Sequence, residues 1–182
     1  ELKNESLLHR FKSYIKEHQL ATTDNRILLT VSGGVDSMVM MHLFVEAGYK
    51  VGVAHCNFCL RGAESDEDEV LVAEAAERLG VPHYNRRFDT KGEMALTGES
   101  VQMAARRLRY GWFDELCIDE GYDTIAVAHH ADDSIETFFI NLLRGTGLRG
   151  LTGINRQYGK VVRPLLYASR KDILEYAKIN HT

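Results

Sequence analysis

The stretch Ile27-Leu28-Leu29-Thr30-Val31-Ser32-Gly33-Gly34-Val35-Asp36-Ser37 decides the fold of this chain. An apolar run ends in a glycine-rich turn, and apolar residues at helical spacing follow, so the order predicts a strand, a tight turn and a helix. The start of a helix carries about half a positive charge and several unpaired N–H groups. Glycines let an anion approach the backbone closely. The stretch therefore predicts a phosphate-binding loop.

The residues of the loop indicate which type of phosphate-binding loop it is. It is not a Walker loop, because no Gly-Lys-Ser or Gly-Lys-Thr triplet occurs in the chain. Ser32-Gly33-Gly34-x-Asp36-Ser37 instead resembles the pyrophosphate loop of the N-type ATP pyrophosphatases. That resemblance implies that the loop holds the β- and γ-phosphates while ATP is cut at its α-phosphate. Asp36 fits this chemistry as a ligand for the Mg²⁺ that neutralises pyrophosphate. The alternative is a plain strand–helix turn in which Asp36 is only a cap.

The composition is that of a soluble globular domain. The chain has 182 residues, of which 45% are hydrophobic and 26% charged, and it contains three cysteines. No apolar run approaches the ~20 residues of a membrane span, and we expect no signal peptide. So few cysteines suit a reducing compartment, so we expect a cytoplasmic location. The net charge of −4 gives no general attraction to nucleic acid, although a basic bias in the second half is compatible with a polyanionic second substrate.

Strand and helix patterns alternate along the chain. We expect strands at 27–31, 51–55, about 82–88, 123–128 and 161–162, helices at 5–18, 37–47, 66–79, 99–120, 131–144 and from 169, and a polar loop at 89–98. This alternation predicts an α/β fold, a doubly wound parallel sheet of about five strands with helices on both faces. Ligands bind outside the carboxyl ends of such strands. His55, Asn57, Asp89 and 129–133 should therefore converge on 32–37.

One glycine-rich motif and one cysteine motif each have competing interpretations. The segment 145–150 matches G-x-G-x-x-G, but it follows a helix rather than a strand, so the dinucleotide interpretation fails and a substrate-contacting loop remains. Cys56-x-x-Cys59 is a possible redox pair. A structural zinc would need a second pair, which Cys117 alone cannot supply. We favour two incidental thiols.

Polar clusters follow the fourth strand and occupy the long helix. Adjacent histidines at 129 and 130 point to opposite sides and make a poor metal pair. One of Asp132 and Asp133 is expected to cap the next helix, and we favour Asp133 for the site. Arg106 and Arg109 share a helical face. Because small residues lie next to them, the two arginines are predicted to form an anion clamp. The alternative is an ordinary solvated surface.

Six stretches in order resemble the bacterial tRNA(Ile)-lysidine synthetases over about residues 25–180. They are Ser32–Ser37; His55-x-Asn57-x-x-Leu60-Arg61 with Ser65-Asp66; Ala105-Arg106-x-x-Arg109-Tyr110; Ala128-His129-His130-x-Asp132-Asp133-x-x-Glu136-Thr137; Arg144-Gly145-x-Gly147-Leu148-x-Gly150; and Arg163-Pro164-Leu165-Leu166. One departure is Cys59, where the family commonly has His. The resemblance implies an adenine nucleotide alpha hydrolase-like fold.

The resemblance also implies a reaction and its partners. ATP adenylates the C2 carbonyl oxygen of the wobble cytidine of an isoleucine tRNA and releases pyrophosphate. The amine of free lysine then displaces AMP. A lysine ε-amine, with a reference pKa of about 10.4, needs a carboxylate to help remove its proton. ATP and Mg²⁺ are the implied cofactors, the anticodon region of the tRNA and lysine are the partners, and a homodimer remains open.

Site roles are carried over by position. The catalytic set is Asp36, Arg109 and Asp133, and Asp36 is also the metal ligand. Asp133 or Asp36 would help deprotonate the lysine, and Arg109 would clamp its carboxylate or the α-phosphate. The ATP-binding set is Ser32, Gly33, Gly34, Val35, Asp36, Ser37, His55 and Asn57. The substrate-binding set is Arg106, Arg109, His129, Asp132, Asp133 and Arg144.

We interpret residues 1–182 as a single PP-loop ATP pyrophosphatase domain. Family members continue into further domains that grip the tRNA, so we expect an N-terminal fragment that binds ATP and holds tRNA weakly. Two rivals stay open. One is tRNA thiolation, which normally needs two cysteine pairs, and the other is a non-catalytic adenine-nucleotide-binding module.

Overall fold

The computed structural model describes residues 6–143 and 153–182. Its helices are α1 Leu7–Glu17, α2 Val35–Glu46, α3 Ala63–Arg78, α4 Thr90–Thr97, α5 Val101–Glu120, α6 Ala131–Leu143 and α7 Arg170–Asn180. Its strands are β1 Arg26–Thr30, β2 Lys50–Asn57, β3 His83–Arg87, β4 Thr124–Ala126, β5 Gln157–Tyr158 and β6 Val161–Val162. The α/β class predicted from the sequence is confirmed.

One sheet contains all six strands in the order β3-β2-β1-β4-β6-β5. The neighbours from β3 to β6 are parallel, and β5 pairs antiparallel with β6 at the edge. The chain builds outward from β1 to β2 and β3 and then returns to the other side of β1 with β4. The carboxyl ends of β1 and β4 therefore form the switch point, where a doubly wound sheet leaves a crevice.

Alternation along β1 explains why both faces of the sheet are covered. Ile27 and Leu29 pack with α1, α2, α3 and α7 in one core cluster, whereas Leu28 packs with α5 in another. All three side chains are fully buried. A strand buried on both faces is typical of a parallel sheet, and this packing fixes the loop that follows β1.

Two elements differ from the sequence prediction. The segment 89–98, predicted as a loop, contains α4, whose first turn is capped by Asp89 through a 3.0 Å bond from the Gly92 N–H. This helix escaped detection because Thr90 is its only buried residue, so it shows no apolar stripe. The short strand β5 was also missed, since two exposed residues carry no periodicity. Among the described residues, no helix is both long and apolar enough to cross a membrane.

Candidate active site at the switch point of the sheet

The glycine-rich turn between β1 and α2 is closed by its two serines. The Ser37 hydroxyl accepts a 3.1 Å bond from the Ser32 N–H and donates a 2.8 Å bond to the Gly34 carbonyl oxygen. The Ser32 hydroxyl lies 3.2 Å from that of Ser37 and accepts from the Gly34 N–H at 3.3 Å. These bonds hold the turn in one shape without using the first N–H groups of α2.

The start of α2 is open to an anion. Gly34 is its N-cap residue, and no side chain of the described residues caps it. The first N–H groups of a helix have no partner inside the helix, and the helix dipole favours negative charge there. This end of α2 therefore has the properties of a phosphate site.

Gly33 fits where a side chain would not. Its φ is +96°, and a Cβ built on it would lie 2.9 Å from Asp68 Oδ1 and 3.1 Å from the Asp68 Cβ. Asp68 is held there by Arg61, whose guanidinium lies 2.9 Å from Asp68 Oδ2. The loop conformation and the packing of α3 against the loop both require glycine at this position.

A cavity of about 280 Å³ lies beside the loop at the switch point. It is lined by β1 and the loop, by the end of β2, by α5 and by the segment after β4. Its lining residues are Thr30, Val31, Ser32, Gly34, Asp36, Ser37, Ala54, Cys56, Phe58, Arg106, Arg109, Tyr110, Phe113, Val127, Ala128 and His129. The structure thus brings loop, arginine and histidine residues from separate parts of the chain into one crevice.

The arginines of α5 divide between the cavity and the surface. Arg106 and Arg109 both line the cavity. The guanidinium of Arg106 lies 4.9 Å from the ring centre of Tyr110, and that of Arg109 lies 5.2 Å from the ring centre of Phe58. Arg107 points away and pairs with Glu93 and Glu99, each at 2.9 Å. Two cations supported on aromatic rings therefore face the loop across the cavity.

His130 connects Asp36 with the start of α6. Only 4% of His130 is exposed. Its Nε2 lies 3.5 Å from Asp36 Oδ2, and its Nδ1 lies 3.6 Å from Asp133 Oδ2. The pairing could not be read from the sequence, because nothing local indicates which of two adjacent histidines faces Asp36.

The two aspartates of α6 contact different helices. Asp133 Oδ2 accepts a 2.9 Å bond from the His130 N–H, at the start of its own helix. Asp132 Oδ2 accepts a 2.7 Å bond from the N–H of Arg170, the first residue of α7, whose N-cap is Ser169. The sequence predicts that one aspartate caps α6 and that the other, Asp133, faces the site. In the structure Asp133 makes the capping contact, and Asp132 is drawn to the next helix.

His129 lines the cavity, and its surroundings oppose a positive charge. Burial lowers the pKa of the imidazole, and the nearby Arg163 lowers it further, whereas Asp133 raises it. Its Nδ1 is buried and has no hydrogen-bond partner among the described residues. His129 therefore presents a neutral imidazole to the cavity.

Asp36 has the properties expected of a metal ligand. Its Oδ1 is buried without a hydrogen-bond partner in the described part of the chain, while Oδ2 faces His130. Mg²⁺ is commonly held by one or two carboxylates together with phosphate oxygens, so this oxygen fits the ion. The described residues contain no group of three or more His, Cys, Asp or Glu side chains that could hold a metal ion.

Of the predicted site residues that the structure describes, six do not line this cavity: Gly33, Val35, His55, Asn57, Asp132 and Asp133. His55 and Asn57 are each 2% exposed. The His55 Nδ1 lies 2.8 Å from the Val31 carbonyl oxygen, directly before the loop. Asn57 donates to Asp66 at 3.0 Å and Glu69 at 2.9 Å, which ties β2 to α3. Asp89 caps α4, and Arg144 lies outside the described residues.

Sequence reasoning missed the apolar wall of the cavity. Phe58, Phe113 and Val127 line it together with Ala54 and Ala128. The wall offers a flat apolar surface next to the phosphate loop. An aromatic residue placed after a strand carries no signal of its role, so only the tertiary structure reveals it.

The cysteines show no sign of thiol chemistry. Burial raises the pKa of the Cys56 thiol to about 12, although Arg109 opposes the shift. A thiol with so high a pKa stays protonated and is a poor nucleophile at neutral pH. Cys56, Cys59 and Cys117 are all free. A reactive thiolate at Cys56, which the redox and thiolation interpretations would use, is therefore disfavoured.

Comparison with known proteins gives a family match over nearly the whole chain. The model of the PP-loop domain family matches residues 4–182. The tRNA(Ile)-lysidine synthase of Parabacteroides distasonis is 45% identical over 170 residues, which cover 93% of this chain and 39% of that protein. The enzyme of the same name from Chlorobaculum tepidum is 43% identical over 92% of this chain and 52% of its own length. The chain thus spans about two fifths to one half of these relatives.

The fold is also found in more distant structures. The NH3-dependent NAD synthetase of Campylobacter jejuni, solved in complex with the nitrate ion, superposes with a TM-score of 0.62 at 14% identity. The match covers 96% of this chain and 72% of that one. At this identity the likeness shows the fold alone, and it agrees with the predicted adenine nucleotide alpha hydrolase-like architecture.

Gly33→Ala should impair both stability and nucleotide binding, because the new Cβ meets Asp68 and the backbone has a left-handed φ. Gly48→Ala is the matched control, since Gly48 has a φ of +82° but nothing within 4 Å. We expect Gly33→Ala to lower the free energy of unfolding by about 1 kcal/mol more than Gly48→Ala. Urea unfolding and ATP titration calorimetry measure the two effects. Equal losses in both variants would contradict the steric argument.

His129 should make the protein less stable in mild acid. The pKa of His129 in the folded state lies below the ordinary 6.5. In mild acid, His129 therefore binds a proton more readily in the unfolded chain than in the folded one. Stability therefore falls as pH decreases below about 6.5. His129→Gln should show a smaller loss than the wild type between about pH 7.5 and 5.5 in urea unfolding. His83→Gln, at an exposed histidine, should follow the wild-type profile, and a His129→Gln profile that also follows it would refute the prediction.

Proposed function

The chain belongs to the PP-loop domain family, and from this premise we propose that it ligates lysine to C2 of the wobble cytidine of an isoleucine tRNA. ATP first adenylates the cytidine O2 with release of pyrophosphate, and the lysine amine then displaces AMP. The similarity to the two lysidine synthases supports this reaction, because it extends through more than nine tenths of the chain.

One observation carries the proposal: the start of α2 and the two arginines of α5 face each other across a single cavity. Adenylation moves negative charge onto the departing pyrophosphate. Backbone N–H groups of a helix start and fixed guanidinium groups both stabilise such charge, and they need no reorganisation as it develops. In this proposal the loop binds the β- and γ-phosphates, and Arg106 and Arg109 bind near the α-phosphate.

The apolar wall suits the flat base of the nucleotide. Phe58 and Val127 line the cavity beside the loop, and small-molecule sites combine such surfaces with a few placed polar groups.

In the first step the cytidine O2 forms a bond to the α-phosphorus as the bond to pyrophosphate breaks. In this proposal the neutral imidazole of His129 hydrogen-bonds to a reactant without adding charge.

In the second step the lysine amine attacks C2, the C2–O bond breaks, and AMP leaves with the oxygen. The amine must lose a proton, and a carboxylate near the site favours that loss. Asp36 and Asp133 are the proposed groups: Asp36 lines the cavity, and Asp133 is connected to it through His130. Asp36 would also hold Mg²⁺, which neutralises phosphate charge when bound.

We further propose that residues 1–182 act as the ATP-binding and catalytic domain. The relatives extend well beyond the matched region. In this proposal the additional parts of such relatives add contacts to the tRNA, since linked binding surfaces raise affinity without changing the catalytic site.

The reaction is tested by pyrophosphate release from ATP with an isoleucine tRNA transcript, with and without lysine. We expect release that requires the transcript, followed by AMP formation that requires lysine. Asp36→Ala should slow release about 100-fold or more, because it removes the carboxylate of the loop itself, which is the proposed Mg²⁺ ligand. Asp24→Ala, at an exposed aspartate in the turn before β1, is the matched control. Absence of release under all conditions would favour a nucleotide-binding module instead.

The domain proposal predicts a difference in tRNA affinity. The Parabacteroides distasonis relative should bind the same transcript at least about tenfold more tightly than this chain, while the two bind ATP alike. Filter binding and calorimetry measure the two affinities. Equal tRNA affinity would show that residues 1–182 already hold the full tRNA-binding surface.

A further inference from the structure

A second groove adjoins the candidate active site on the side of the sheet edge. It has a volume of about 580 Å³ and lies between α5 and the β5–β6 hairpin. Arg106 and Tyr110 line both this groove and the cavity beside the phosphate loop. The two spaces therefore share a wall that contains Arg106 and Tyr110.

The groove is more cationic than the chain as a whole. Four cations and two carboxylates line it: Arg106, Arg107, Lys160, Arg163, Glu99 and Asp114. Glu99 forms an ion pair with Arg107 at 2.9 Å. Within residues 6–143 and 153–182, neither Arg106 nor Lys160 forms an ion pair. In a chain of net charge −4, this local excess of unpaired positive charge points to an anionic ligand.

The groove also presents an unused aromatic side chain. Tyr158 lines it and is 78% exposed. The neighbouring Met103 is 60% exposed. Exposed aromatic rings beside cations are the combination that binds single-stranded nucleic acid, because bases stack on the rings while cations contact the phosphates. A duplex, whose bases are already stacked, cannot use Tyr158 in this way.

We propose that this groove binds the unpaired RNA nucleotides next to the base that enters the cavity, with Tyr158 stacking on one base and Lys160 contacting a phosphate. The inference rests on the proposed function in that it takes the RNA to be the second substrate. It goes further by assigning the surface, the stacking residue and the single-stranded form of the ligand. Arg106 lies on the wall that the groove shares with the cavity beside the loop.

The probe is a short fluorescein-labelled oligocytidylate, titrated with this chain at low salt and followed by fluorescence anisotropy. We expect Tyr158→Ala and Lys160→Glu each to weaken binding about tenfold. Tyr158→Phe keeps the ring and should stay within about twofold of the wild type. Lys12→Glu is the charge control, because Lys12 is exposed on α1, which packs on the opposite face of the sheet.

Each outcome decides the proposal. Absence of oligocytidylate binding by the wild type, or equal binding by all variants, would overturn it. Equal affinity for an RNA duplex of the same length would also overturn it, as would equally effective competition by oligoglutamate, which would identify an acidic peptide surface.

ATP titration of the same variants separates this proposal from the proposed function. Tyr158→Ala and Lys160→Glu should bind ATP as the wild type does, since neither residue lines the cavity beside the loop. Loss of groove binding with intact ATP binding supports the groove. Failure of the wild type to bind ATP would instead count against the proposed function.

Discussion

The first N–H groups of α2 have no partner inside their helix, and they open at the point where β1 ends. The two serines of the turn close it with hydrogen bonds that leave these groups unused. Holding such an end open to a ligand requires a rigid base. β1 supplies it, because it lies between β2 and β4 and is buried on both faces. The phosphate-binding properties of the loop thus depend on the packing of the strand beneath it.

Negative and positive side chains lie on different sides of this helix start. Negative groups lie behind the loop, where Asp68 touches Gly33 and is held by Arg61. Positive groups lie across the cavity, where Arg106 and Arg109 rest on aromatic rings. An anion in the cavity therefore meets N–H groups on one side and guanidinium groups on the other. Asp36 is a negatively charged group on the loop itself, on the side where an anion would bind. A cation bound at its buried, unpaired Oδ1 would compensate that charge.

Helix α5 connects the cavity with the groove at the sheet edge. Arg106 and Tyr110 face both spaces, while Arg107, next in the sequence, is bound by two glutamates. Because neighbouring residues on a helix point in different directions, Arg106 faces the cavity while Arg107 is held at the surface by its glutamates. The same helix fills one core cluster with Trp112 and Phe113, so the positions of its arginines are fixed by packing.

The sequence by itself determined the parts that depend on local pattern. The strand, turn and helix around 27–46, the parallel sheet with helices on both faces, and the shared face of Arg106 and Arg109 follow from periodicity and glycine placement. The helix α4 was missed because it buries almost nothing. Tertiary structure alone decided that Asp132 binds the first N–H of α7, that His130 faces Asp36 and that Phe58 supports Arg109. These contacts join residues far apart in the chain, and their partners are set by how helices pack on the sheet, which local periodicity does not encode.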